Sequence, residues 1–290
     1  MNYKLLTMCA LSLLCHDTKA MGEIYNDSLN YRVEAAASVA TEGVTPLWLS
    51  SNKYGLASLQ PTSGYVRVGV QQPTFQFGKS SSWKLGYGAD LVVPVNYATE
   101  NTMRGKQRTN FIVQQLYADV DYKWLRLSAG AKERPMELKH QALSSGSQTL
   151  GINARPVPAL RLELPEYVSL TGKENPWIAI KGHFGYGIMT DGAWQKAYVP
   201  ANGLRAENAL LHTKAGYLRI GNPKKFPLVF EGGLEMATQF GGTIYNPIGR
   251  EGRFGETLEM GQGPKDFLNA IFGLGSDATD EMYGNAAGNT

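Results

Sequence analysis

The chain is nearly without cysteine. Its two, Cys9 and Cys15, both fall in the first twenty residues. That stretch reads as a removable leader: Lys4, an apolar run from Leu5 to Cys15, then polar residues 16–19 and Ala20. Thr18 and Ala20 suit the −3 and −1 positions of a signal-peptidase site, so residues 1–20 are expected to be a signal peptide. The processed chain would then hold no cysteine, which excludes disulfides and thiolate metal sites. Lipidation does not fit, because Leu14 precedes Cys15 and Met8 precedes Cys9 where a small residue belongs. Beyond Ala20 no apolar run is long enough for a transmembrane helix. Histidine is also scarce: outside the leader there are His140, His183 and His212, with no pair at metal-ligand spacing. Ser128 or Ser169 with His183 is the nearest approach to a nucleophile and base, and neither a G-x-S-x-G elbow nor a phosphate loop accompanies it. No enzymatic activity, metal or cofactor is expected. A net charge of +3 over 290 residues is too small to suggest a nucleic-acid partner.

What the chain does have is alternation. In Trp83–Tyr97 one face reads Trp83, Leu85, Tyr87, Ala89, Leu91, Val93, Val95, Tyr97, and the other Lys84, Gly86, Gly88, Asp90, Val92, Pro94, Asn96. Period two is a strand signal. The run is longer than most soluble strands, and its apolar face has rings at both ends with aliphatic residues between, as where a strand crosses a bilayer. Similar alternation occurs at 29–40, from Tyr65, at 111–120 and 125–133, around Leu160–Leu164, at 178–188 and at 228–240. It is weaker at 208–221. The apolar set of 125–133 is Leu125, Leu127, Ala129 and Ala131, and a turn is expected at Asp121–Lys123. The fold class is therefore expected to be all-β, an antiparallel transmembrane outer-membrane β-barrel with short helices in its loops. Negative mean hydropathy is compatible, because half of each such strand faces a polar lumen.

Between the strands, Thr45–Ser58 has no clear period, Thr99–Asn110 reads as a long loop, and 242–263 reads as a glycine-rich loop. Pro264–Phe272 reads as a short helix with Phe267, Leu268, Ile271 and Phe272 on one apolar side. The chain ends on Thr290 after a polar stretch, without a closing apolar strand. Residues 21–290 are thus expected to be the N-terminal part of a barrel whose remaining strands are absent.

Three segments carry a resemblance. T-P-L-W-L-S-S-N-K-Y-G at Thr45–Gly55, A-K-E-R at Ala131–Arg134, and F-G-E-T at Phe254–Thr257 followed by a short helix, G-S-D-A-T-D and G-N are together similar to the capsule-assembly Wzi family of outer-membrane barrels. The resemblance covers most of residues 29–290. It implies a protein of the Gram-negative outer membrane that binds and retains exported capsular polysaccharide at the cell surface, lectin-like and non-catalytic. It implies a large barrel with an obstructed lumen. The expected partners are that polysaccharide or another surface polysaccharide, outer-membrane lipid, and the barrel-assembly machinery during insertion. A passive porin or solute channel is the alternative.

Retaining a polymer requires rings that pack on sugars and cations or amides that bond hydroxyls and uronates. The candidates in the loops are Trp194, Tyr198, Arg205, Tyr245, Arg250 and Arg253. A second set, Lys84, Asp90, Arg126, Lys132, Glu133, Arg134, Arg161, Glu163, Lys181, Glu231 and Glu235, alternates with apolar residues and is expected to face the lumen. These could line a pore or bind sugar, or pair with one another across it.

Overall fold

The computed structural model describes residues 9–13, 29–40, 45–76, 82–95, 110–141, 143–144, 146–172, 176–222, 224–249, 252–253 and 257–274. Antiparallel sheet dominates, as the alternation predicts. Two units divide the chain, one of Met1–Val120 with Ala131–Pro156, the other of Asp121–Gly130 with Val157–Thr290.

In the first unit the elements are β1 (Cys9–Leu13), β2 (Asn30–Val39), helix α1 (Leu47–Ser50), β3 (Thr62–Gln76), β4 (Trp83–Val95) and β5 (Ile112–Tyr122), whose last two residues fall in the second unit. The strands neighbour one another in chain order. Cys9–Leu13, within the expected leader, pairs with Ala35–Val39. Register aligns the faces. Ala35, Val66 and Val93 form one row and Val33, Val68 and Leu91 the next. On the opposite face Glu34, Arg67 and Val92 are aligned, as are Arg32, Gly69 and Asp90.

Burial is inverted relative to a water-soluble sheet. Val33, Val66, Val68, Leu91 and Val93 are exposed, whereas Arg67, Asp90, Gln114, Gln115 and Asp119 are buried. The charged face is the covered one. Residues 45–61 lie on it, with Leu56 packing against Val92 and Ile112.

The second unit contains β6 (Leu125–Ala131), β7 (Ala159–Ser169), β8 (Ile178–Ile188), helix α2 (Gly192–Tyr198), β9 (Arg205–Glu207), β10 (Leu210–Ile220), β11 (Phe230–Phe240), β12 (Thr243–Tyr245), β13 (Ile248–Gly249), β14 (Gly252–Arg253), β15 (Thr257–Glu259) and helix α3 (Pro264–Phe272). Neighbours run β6, β7, β8, β10, β11, while β9, β12 and β15 form a separate small sheet and β13 pairs β14. Leu127 and Leu162 face the same way and are exposed; Ser128, Glu163 and His183 are on the other face and are buried.

Connections alternate in length. In the first unit β2 and β3 are joined through 40–61, but β3 and β4 through only 77–82. In the second, 170–177 and 221–229 are short beside 189–209. Apart from 14–29, which joins β1 to β2 at the other end, antiparallel pairing puts the long connections of each unit at one end of its strands.

Several expectations are corrected. The turn after β5 is Lys123–Trp124 with Lys123 at φ 56°, so Asp121 and Tyr122 belong to the strand. β6 stops at Ala131, which is buried, leaving Lys132, Glu133 and Arg134 beyond it. The glycine-rich 242–263 stretch holds β12 to β15, three-residue and shorter strands with too few residues to display a period. α3 forms where expected: Pro264 opens it, the Asp266 carboxylate accepts from the Gly263 amide at 2.8 Å, and Gly273 ends it at φ 64°. Its four apolar residues lie on one side, within an arc of about 140° at about 100° per residue, but that side is only partly covered: α3 packs on β10 and β11, Phe267 and Ile271 are half-buried, and Leu268 and Phe272 stay exposed.

Candidate functional site

Of the loop residues expected to hold sugar, Arg205 and Tyr245 meet in the second unit, with Trp194 on the adjoining helix α2. α2 lies against β9, where the Gln195 side-chain oxygen accepts from the Ala206 amide at 3.2 Å. β9 pairs with β12 so that Arg205 stands opposite Tyr245. The Arg205 guanidinium lies 4.1 Å from the centre of the Tyr245 ring, and its Nε donates to Glu207 at 2.9 Å. Such stacking orients a cation and keeps the ring partly apolar. Beneath them Ile244 and Pro247 are fully buried, and Asn246, at φ 50°, donates to the carbonyls of Ala201 and Gly203. Trp194 on α2 is 52% exposed.

The module thus presents an exposed indole beside an arginine that is seated on a tyrosine, paired with Glu207 and only 12% exposed in its side chain. Of the other candidates, Tyr198 ends α2 and Arg253 ends β14, but their side chains lie outside the described residues, as does all of Arg250.

A second site lies on the buried face of the first unit. Arg67, 3% exposed, donates through Nε to Asp90 at 3.1 Å and through Nη2 to Asp90 and, at 2.9 Å, to Glu133. Glu34 stands 3.9 Å from Arg67 and accepts from the Tyr65 hydroxyl at 2.5 Å. Arg32 approaches Asp90 at 3.5 Å and Glu133 at 3.7 Å. Two arginines thus meet three carboxylates. Gly69 allows this, because a Cβ there would run into the Asp90 carboxylate.

Amides complete the network. The alternation of β5 skips a beat at Gln114–Gln115, both of which are buried. Gln115 donates to Asp90 at 2.7 Å and accepts from the Glu133 amide at 2.8 Å. Gln114 donates to Glu133 at 2.8 Å and to the Tyr54 carbonyl at 3.0 Å. Tyr54, at φ 53°, donates its hydroxyl to the Arg134 carbonyl at 3.0 Å. Burial, with the Glu133 charge adding to it and Arg67 opposing, raises the Tyr54 pKa above the ordinary tyrosine range. The Thr45–Gly55 and Ala131–Arg134 segments, far apart in the chain, are therefore joined in one network.

The remaining lumen candidates pair with neighbours. Lys132 meets Asp119 at 2.5 Å and lies over the Tyr117 ring. In the second unit Arg126 bonds Asp121 at 2.7 Å, Arg161 bonds Glu163 at 2.6 Å, and Arg219 bonds Glu231 at 2.7 Å. Glu235 accepts from Tyr217 at 2.6 Å. Lys181 is half-buried on β8, and Lys84 is exposed at the start of β4. Arg32, Glu34, Arg67, Gln114, Gln115 and Tyr54 were missing from the sequence candidates. Alternation put Glu34 and Arg67 on polar faces, but only register shows that they face each other.

Among the described residues no group of His, Cys, Asp and Glu is arranged to hold a metal ion. Comparison with family models, with curated proteins and with solved structures finds no match.

Proposed function

We propose that the chain belongs to an outer-membrane β-barrel of the Wzi type that binds exported capsular polysaccharide at the cell surface without catalysing a reaction. The observation that carries the membrane half is the inverted sheet. An apolar face left exposed along β2, β3 and β4, over a face that buries Arg67, Asp90 and Gln115, suits a solvent that is hydrocarbon outside and polar within. The long connections at one end of the strands would be extracellular. Residues 1–20 would be removed on export, taking β1 with them. The barrel-assembly machinery would insert the chain.

The polysaccharide half rests on the α2–β9–β12 module. It lies among the long connections, where Trp194 can pack on sugar rings and Arg205 can bond hydroxyls or uronates. The porin alternative draws on the same charged face, but the pairing of those charges and the cover of residues 45–61 favour an obstructed lumen. Low single-channel conductance of the purified protein would agree with retention, and free passage of salt would move the porin reading to the front.

Deleting the gene tests the role directly, with capsule measured on cells and in the medium. Polymer lost from cells and recovered in the medium is the expected result, and a Trp194→Ala/Arg205→Ala chain should fail to restore attachment. Unchanged attachment would remove the retention role. The membrane placement has its own test. Leu91→Arg should cost about 2–4 kcal/mol on folding into vesicles, as for a cation on a lipid face, and Lys84→Ala should be within about 0.5 kcal/mol of the parent.

A further inference from the structure

We propose that α3 lies in the outer-leaflet interface of the membrane, with Pro264, Leu268 and Phe272 against lipid. The inference rests on the membrane placement above and adds an interaction surface to it.

A helix advances about 100° per residue, and α3 has three flanks on that spacing. Phe267, Ala270 and Ile271 share one, which meets the sheet. Phe267 meets Tyr186 at a tilt and Phe240 edge-to-face, at centroid distances of 5.0 Å and 5.1 Å, its carbonyl accepts from the Tyr186 hydroxyl at 2.9 Å, and Ala270 is buried. Pro264, Leu268 and Phe272 share the adjacent flank. Lys265, Asp266 and Asn269 share the third. A helix docked on a sheet in water needs one apolar stripe. Here a second borders the first and is uncovered: Leu268 is 57% exposed, Phe272 69%, and Leu274 just past the cap 59%.

The sheet identifies the neighbour. Register puts Tyr186, His212 and Thr238 on the same face as Leu160, and Phe184, Lys214 and Met236 on the same face as Leu162. Leu160, Leu162, Phe184 and Ile188 of that face are exposed. It is the exposed apolar face of this unit, so the second flank of α3 continues a surface that the membrane placement would set against lipid. α3 also sits at the long-connection end of β8, β10 and β11, where its polar flank would meet headgroups and water.

The polar residues beneath α3 fit the same placement. His212 is wholly buried against Phe184 and Tyr186, with Nδ1 3.0 Å from the Gly185 carbonyl. Lys214 donates to the Ile271 carbonyl and lies over the Phe272 ring. Without α3 both would stand on a lipid-facing surface, where lysine is costly. The helix shields them, and Lys214 neutralises the carbonyl-rich C-terminal turn.

The test uses the full chain in a Cys9→Ser/Cys15→Ser background, with a single bimane-labelled cysteine at Leu268→Cys or, as reference, Leu91→Cys. The protein is folded into phosphatidylcholine vesicles brominated either near the headgroup or deep in the acyl chain. Interfacial helices settle about 5–10 Å into the headgroup–acyl boundary. The label at position 268 should therefore be quenched severalfold more by shallow than by deep bromine, and the label at position 91 should be quenched by the acyl-chain bromines. Quenching at 91 with none at 268 would overturn the proposal and leave the membrane placement standing. Cross-linking of position 268 to a second copy, without quenching, would also overturn it and assign the flank to self-association. No quenching at either position would remove both.

Discussion

Both units carry the same alternating sheet with its polar face buried, but the second unit also has a cover on part of its apolar face. In the first unit residues 45–61 and the stretch at Glu133 and Arg134 lie on the charged face, and the joint is ionic: Arg67 to Asp90 and Glu133, with Gln114 and Tyr54 linking the two segments. In the second unit α3 lies on the apolar face, and the joint is aromatic: Phe267 against Tyr186 and Phe240. The composition of each cover matches the face it meets. Buried charges need every partner in place, so the first cover is built from long segments bringing backbone and side-chain groups together. Rings need only area and edge-to-face contact, and a nine-residue helix supplies that.

The contrast predicts different penalties. Arg67→Met should cost the most, about 3–5 kcal/mol, because it leaves buried Asp90 and Glu133 with only the more exposed Arg32, at 3.5 Å and 3.7 Å, in place of the buried cation they bond. Urea unfolding of the purified protein measures this, and Arg67→Met/Asp90→Leu should recover part of the loss. A cost below about 1 kcal/mol would mean that the network is hydrated like a surface pair, and the comparison would fail.

Phe267→Ala should come next, at about 1–3 kcal/mol from the lost ring area and aromatic contacts. The effect should be local: faster hydrogen exchange across Pro264–Phe272, with little change in β3 and β4. Slowed or unchanged exchange in α3 would show that the ring does not hold the helix.

Tyr54→Phe should have the smallest effect, about 0.5–1.5 kcal/mol for one hydrogen bond. Its pH dependence is specific. A raised pKa means that the fold favours the neutral hydroxyl, so this contribution is full below the ordinary tyrosine value of about 10 and is lost as pH rises through the raised value. Alkaline unfolding curves of parent and variant should therefore converge above that range, and a constant gap between them would contradict the assignment.

Alternation was legible because a strand residue's facing depends only on its parity. It assigned Val66, Val68, Leu91 and Val93 to one face and Arg67 and Asp90 to the other. It failed where something other than a uniform medium covers the strand. β10 reads poorly because His212 and Lys214 sit on its apolar face, and they are tolerated there because α3 covers them. It failed again at Gln114–Gln115, where two successive side chains turn inward to serve Asp90 and Glu133. The sugar candidates Trp194, Arg205 and Tyr245 were chosen as residue types in loops. The meeting of Arg205 with Tyr245 needed the pairing of β9 with β12.

The amino-acid order by itself determined an antiparallel sheet with one apolar and one charged face, along with the start and stop of α3 at Pro264 and Gly273, because parity, proline and glycine act locally. The tertiary structure alone decided which carboxylates Arg67 meets, which face α3 covers, and that Tyr54 and Glu133 share a network. Those outcomes depend on strand register and on loops returning over the sheet, and no local property of the chain encodes either.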